Sequence, residues 1–417
     1  MSTIHIVGAG LAGLACAVKL AGRGRQVRLW EAAGHAGGRC RSFEDNVTGR
    51  RIDNGNHLLL SANHNALSYL EAIGASNSLK VGEPIFPFVD VRSGETWCVR
   101  PGAGRWPGWL FDKTRNIPGI TARSYLRLLC LGWPGLSRKR VADCVAPDSM
   151  LAERFLDPFT VAVLNASMKE ADARLTFKAL MLSFGKGATE CRPMMARDGL
   201  SETFIDPALN FLEKANISVT YSSRLRSVEF EGDKLQALDF VQRHEAITDN
   251  DYVVLALPAL SVASLIPGLD VPRQTESIVN VHIRLETPVK LPQGAPIMGI
   301  VGGTAQWFMA RGDILSATIS AAHDIAEWSN EQIAEKVWSD AKHAFALRQD
   351  AMPSIRVVKE RRATFLQTPE EVVRRPGART RWPNIILAGD WTDTGLPATI
   401  DGAIYSGQRA AHVLLKN

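Results

Sequence analysis

The chain opens on an arrangement that few folds can use. Ile4-His5-Ile6-Val7 is a short β-branched run, and Gly8-Ala9-Gly10-Leu11-Ala12-Gly13 follows it at once. The spacing of Leu14, Val18 and Ala21 then reads as a helix that Gly22 to Gly24 ends. Gln26 to Trp30 reads as a second strand, closed by Glu31. Strand, glycines, helix, strand and acid in this order predict a dinucleotide-binding, Rossmann-type α/β domain. Gly8 permits the tight turn, Gly10 lets backbone approach a pyrophosphate, and Gly13 lets the helix pack close to the strand. The helix start at Leu11 and Ala12 offers free N–H groups and a positive dipole end to the phosphates. Glu31, with Ala32 beside it, lies where a carboxylate accepts from ribose hydroxyls, and an acid there disfavours a 2′-phosphate.

Two further segments point to FAD rather than NAD. Gly37-Gly38-Arg39 follows Glu31 closely. A second close backbone approach suits the extended flavin dinucleotide, and Arg39 is expected to set a cation beside the pyrophosphate; a surface turn with solvated arginines is the bland reading. At the far end, Asn384 to Ala388 reads as a strand followed by Gly389-Asp390-Trp391, then Leu396-Pro397-Ala398-Thr399 and a helix reaching Leu415. Asp390 is placed to accept from the ribityl chain, and the start of the last helix to aim N–H dipoles at the flavin N1–C2=O edge.

These elements resemble the amine-oxidase-like flavoprotein superfamily, which includes monoamine oxidases, protoporphyrinogen oxidases and carotenoid desaturases. Asp53-Asn54-Gly55-Asn56-His57 resembles the DxGxH segment of its desaturase-type members, above all the squalene-associated FAD-dependent branch. Leu164-Asn165, Asp198-Gly199-Leu200-Ser201, the strand through Asn280 and His282, Gln306-Trp307 and Thr394 to Ala403 resemble the same branch. Ser61 to His64 and Ala196-Arg197-Asp198 depart from the expected pattern. Aligning the substrate-domain strand puts Asn280 where amine oxidases carry a lysine beside the flavin. The resemblance implies an amine-oxidase/GDI-like architecture. Its flavin domain is built from about 1–75, 200–267 and 380–417, and an α+β substrate domain with a helical lid from 76–199 and 268–379. By the same analogy the backbone of Val228 meets the adenine, and Gly55, Asn56 and His57 lie at the cofactor.

The implied reaction is reductive. An allylic hydroxyl of hydroxysqualene is protonated and leaves as water, and the allylic cation takes hydride from reduced FAD to give squalene, within hopanoid synthesis. His57 is the candidate proton donor or polar anchor, with flavin packing as the alternative. Asn280, Trp307 and Phe308 are candidate substrate contacts, the aromatic faces stabilising a cation. His282 reads as a core histidine. The rivals are a carotenoid-type desaturase running oxidatively and a non-catalytic prenyl-binding protein of the GDI type. The electron donor is not legible.

Composition bounds the remaining classes. Net charge is +5 with histidines neutral, which does not argue for nucleic acid. Six scattered cysteines without a CxxC pair argue against a disulfide framework or a zinc site, and fit a reducing, cytoplasmic setting. No signal peptide is legible, and the longest apolar stretch, Tyr252 to Ile266, is broken by Pro258. Arg92 to Val141 mixes Arg92, Arg100, Arg105, Lys113, Arg115, Arg123, Arg127, Arg138, Lys139 and Arg140 with Trp97, Trp106, Trp109 and Trp133. It reads either as a reversible contact with the inner face of the cell membrane or as a solvated lid whose tryptophans face the core.

Overall fold

The computed structural model describes residues 2–104, 112, 117–133, 138–348 and 351–416. Among them, two large sheets organise the chain. The first is five-stranded and parallel, in the order Val219–Thr220, Gln26–Trp30, Thr3–Val7, Tyr252–Leu255 and Ile385–Leu387. Parallel strands need crossovers, and both faces must be covered. Helix Leu11–Leu20 makes the first crossover, and helix Ile400–Leu415 packs against it on the same face. The two helices cross closely: a Cβ on Gly407 would stand 2.0 Å from the Ala12 carbonyl oxygen. Remote ends of the sequence therefore share one core.

The second sheet has seven strands, in the order Ser354–Phe365, Thr275–Arg284, Ile314–Ile319, Trp307–Arg311, Ile297–Val301, Phe86–Asp90 and Thr96–Val99. Only the Ile297–Val301 and Phe86–Asp90 pair is parallel. Alternation sorts its side chains. Val279, Val281, Ile283, Leu315, Ala317, Ile319 and Phe308 face one core, capped by helix Asn330–Phe345. Asn280, His282, Ser316, Thr318 and Trp307 therefore face the other side. There a helical layer, including Asp157–Leu164 and Ala173–Leu182, brings Phe155, Phe159 and Phe184 against Phe86.

Asp53 ties the two halves together. Its carboxylate accepts from Ser42 Oγ (2.6 Å), Leu200 N (3.0 Å) and Arg311 Nη1 (2.8 Å). Ser42 and Ser201 exchange two further hydrogen bonds. The Asp198 to Ser201 segment and the DxGxH segment thus form one clamp between the sheets. The departures from the family pattern flank one small sheet at opposite ends of its central strand: Ser61 N and Ala62 N donate to Arg192 O and Glu190 O, whereas Ala196 pairs with Leu79. His64 opens helix His64–Ala72 and lies 3.1 Å from Glu190.

No helix among the described residues is long and apolar enough to cross a membrane. Tyr252 to Ile266 folds instead as strand Tyr252–Leu255, a turn and helix Ala259–Leu265. Of the lid tryptophans, Trp97 is core, stacked on Phe88 with the Arg154 guanidinium over its ring. Trp133 is 67% exposed. Trp106, Trp109, Arg105, Lys113 and Arg115 lie outside the described residues.

Candidate active site

The glycine turn is built as its chemistry requires. Gly8 sits at φ +106°, and a Cβ there would lie 2.4 Å from the Ala256 carbonyl oxygen. A Cβ on Gly13 would lie 1.9 Å from the Gly8 oxygen. Both glycines are needed by the fold itself. Gly10 differs: no atom lies within 4 Å of where its Cβ would project. The space over Gly10 is a cradle a side chain would fill, and it adjoins the start of helix Leu11–Leu20. Gly37 N donates to Ala9 O (2.8 Å), which brings Gly38 against Gly10. Glu31 closes the cradle, its carboxylate accepting from Ala9 N and Ala33 N, each at 2.8 Å. Ala32 is exposed on the same turn. Two glycine segments, an open backbone face, a helix N-terminus and an acid fit the phosphates and ribose of an extended dinucleotide.

The C-terminal element meets this cradle. Gly389 has φ +147°, and a Cβ there would strike Trp391 Nε1, which is fixed by donating to Leu257 O (2.8 Å). Asp390 accepts from Arg39 Nη2 at 2.9 Å, and Arg39 also donates to the Ala363 carbonyl. Arg39 thereby joins the Gly37-Gly38 turn to the C-terminal element. Thr399 caps helix Ile400–Leu415 by accepting from Gly402 N (3.2 Å). Ala398 N is already committed to Gln367 Oε1 (2.9 Å), which leaves first-turn N–H groups such as that of Ile400 to supply the positive end. Leu396 and Pro397 form the loop before it.

Gly55, Asn56 and His57 come to the same place from the clamp. Asn280 Oδ1 accepts from Asn56 N (3.2 Å) and Thr318 Oγ1 (3.2 Å), and Asn280 Nδ2 donates to Asn54 O (3.4 Å). His57 and Asn280 flank Gly55, each within 3.5 Å of its Cβ position. Burial pushes the half-buried His57 down to about 4; Asp53 opposes the shift and Arg39 adds to it. His57 is therefore a neutral imidazole at neutral pH. His282 is 1% exposed, bonded to Ser316 Oγ at 2.8 Å, and is likewise pushed down to about 4 by burial.

The structure separates two predicted neighbours. Trp307 is half-buried on the His57 side, edge-on to Phe88. Phe308 is wholly buried in the opposite core against Phe345. Consecutive strand residues point to opposite faces, which removes Phe308 from the His57 side. Val228 pairs with Leu238 in an antiparallel hairpin, and Thr220, Ser222 and Ser223 bond the Glu31 to Ala33 turn. Sequence reasoning missed Gln367 and Arg375. Gln367 joins Ala398 N to Leu164 O, and Arg375 threads the 390–396 loop. Neither carries a local signal: Arg374 and Arg375 look alike in the sequence, yet only the second is buried.

The sequence model described as "Flavin containing amine oxidoreductase" matches residues 11–415. The chain belongs to this flavin-containing amine oxidoreductase family. It is an oxidoreductase of the family, with a flavin as its cofactor. Within the family it is 40% identical to a hydroxysqualene dehydroxylase of Zymomonas mobilis, over 100% of both chains. A zeta-carotene desaturase of Synechocystis is 23% identical over 99% of this chain and 97% of its own length. Cyclohexylamine oxidase of Brevibacterium oxydans shares the fold, with a TM-score of 0.74 at 15% identity, over 100% of this chain and 99% of that one.

Proposed function

We propose that this chain replaces the allylic hydroxyl of hydroxysqualene with hydride, releasing water and squalene. The observation that carries this reading is full-length 40% identity to a hydroxysqualene dehydroxylase, against 23% to a carotene desaturase. FAD, when bound and reduced, supplies the hydride. Gly10, the start of helix Leu11–Leu20, Glu31 and Gly38 would hold the dinucleotide half. Asp390 and the start of helix Ile400–Leu415 would hold the flavin half.

The substrate side supports the same chemistry. The side chain at position 280 is an amide committed to the Asn54 to Asn56 turn, not a lysine. The face beyond it carries Trp307 and the Phe86, Phe155, Phe159 and Phe184 cluster. Such a wall excludes water and offers ring faces, not nucleophiles, to a substrate cation. His57 stands at the junction and donates one N–H to the leaving hydroxyl. If it also delivers the proton, turnover rises as pH falls from 7 toward 5, because the imidazolium is the minor form above its pKa of about 4. That rise disappears in His57→Gln. Full turnover in His57→Ala, with a flat profile, removes His57 from both roles.

A lipid substrate must leave a bilayer. Leu126, Leu129 and Trp133 are 49%, 44% and 67% exposed on the stretch that carries Arg123 and Arg127. Apolar side chains with tryptophan among cations suit reversible contact with an anionic membrane surface. The test of the reaction is anaerobic incubation with hydroxysqualene, with reductant in one arm and an electron acceptor in the other. Squalene in the reduced arm alone is expected. A desaturated product with the acceptor would make the chain a desaturase.

A further inference from the structure

The segment between strand Ile385–Leu387 and helix Ile400–Leu415 has no regular hydrogen-bonding pattern of its own. A loop that must receive a cofactor needs some other restraint. One buried side chain supplies it. Arg375, 7% exposed, donates from Nη1 to Leu396 O (2.9 Å). From Nη2 it reaches Asp390 O (3.1 Å), Thr392 O (2.6 Å) and Thr394 Oγ1 (3.1 Å). Its guanidinium lies 5.3 Å from the Phe365 ring centroid. Three main-chain carbonyls across seven residues thus converge on a single planar fork. Among the described residues its hydrogen-bond partners are all neutral oxygens. Asp390 is held from two sides, by Arg39 on its carboxylate and by Arg375 on its carbonyl.

We infer that Arg375 is a positioning residue for the flavin, holding the 390–396 loop in the shape that receives it. The inference rests on the reading that this loop meets the cofactor. Geometry sets the residue type. The fork serves two places at once, Nη2 the oxygens of residues 390, 392 and 394 and Nη1 the Leu396 carbonyl; a lysine ammonium gathers its donors at one point and holds only one of the two. Arg375 acts through Asp390, Leu396 and the turn that leads to Ala398.

The experiment compares wild type, Arg375→Lys, Arg375→Met and Thr394→Val, each stripped of cofactor and titrated with FAD. Dissociation constants, visible circular dichroism of the bound flavin and the melting temperature of the apoprotein are read. Loss of one charge-assisted restraint predicts a rise in Kd of about 10- to 100-fold in Arg375→Met, with an altered dichroism band. Arg375→Lys is expected not to restore either. Thr394→Val, which keeps the arginine and removes one acceptor, is expected to raise Kd by about threefold. A merely structural role predicts a lower apoprotein melting temperature, with wild-type Kd and dichroism in the folded fraction; that result overturns the inference. Should Arg375→Met not fold, a wild-type Kd in Thr394→Val overturns it as well. Failure of wild type to take up FAD would instead strike the reading of the loop itself.

Discussion

Gly10→Ala separates a glycine needed for folding from one needed for the ligand. Gly10 has φ −74° and ψ 178°, a conformation any residue adopts, and its Cβ position is open. Alanine there restricts the unfolded chain without straining the native one, a gain of about 0.4–1 kcal/mol. For a chain of this size that raises the apoprotein melting temperature by about 0.5–1 °C. The same methyl fills the place where backbone must approach a phosphate. Losing one charge-assisted hydrogen bond costs about 1.5–3 kcal/mol, so the FAD dissociation constant rises by about 10- to 150-fold. Gly13→Ala is the control. Its Cβ would lie 1.9 Å from the Gly8 oxygen, and such overpacking costs about 1–3 kcal/mol in the apoprotein. The assay is flavin fluorescence titration beside thermal melts of stripped protein. Wild-type FAD affinity in Gly10→Ala would refute the reasoning, and so would an apoprotein melting temperature that falls as far as that of Gly13→Ala.

Other residues carry separate expectations. Asp53→Ala leaves Arg311 without its carboxylate and frees Leu200 N, a loss of about 3–5 kcal/mol by chemical denaturation; an unchanged midpoint would remove Asp53 as the clamp. His282 makes stability pH-dependent. Its folded pKa of about 4 lies below the ordinary 6.5, so the unfolded state takes the proton first as pH falls. Its share of the stability is full above about pH 6.5 and falls by about 3 kcal/mol on the way to pH 4, with His57, held equally low, adding to the decline. His282→Asn should make that decline shallower in pH-dependent denaturation, and an undiminished slope would contradict the assignment. Trp133→Ser with Leu129→Ser should weaken sedimentation with anionic vesicles by at least about tenfold while leaving FAD content intact; equal sedimentation would place the membrane face elsewhere.

The parts of the fold set by local chemistry were legible. Strand Gln26–Trp30 and the helix ending at Leu415 fall where β-branched runs, glycine stops and apolar periodicity put them. What long-range contact decides was not. Arg39 is legible beside its glycine pair, but its bond to Asp390, 351 residues away, is not. Arg375 is one of two adjacent arginines until burial tells them apart. Trp307 and Phe308 show a different miss: strand alternation alone forbids both from facing one cavity, and the family analogy hid that rule. The DxGxH aspartate was visible as a motif, but its task, joining two sheets through Ser42, Leu200 and Arg311, needed the fold.

The central claim is that hydride held by the chain's reduced cofactor replaces a substrate hydroxyl. A single anaerobic turnover in D2O tests it, with reduced holoprotein in excess over hydroxysqualene and the lipid product weighed by mass spectrometry. Squalene carrying one deuterium is expected, formed in step with return of the oxidised flavin spectrum. Unchanged hydroxysqualene beside a still-reduced flavin, or squalene formed with no flavin oxidised, would contradict it.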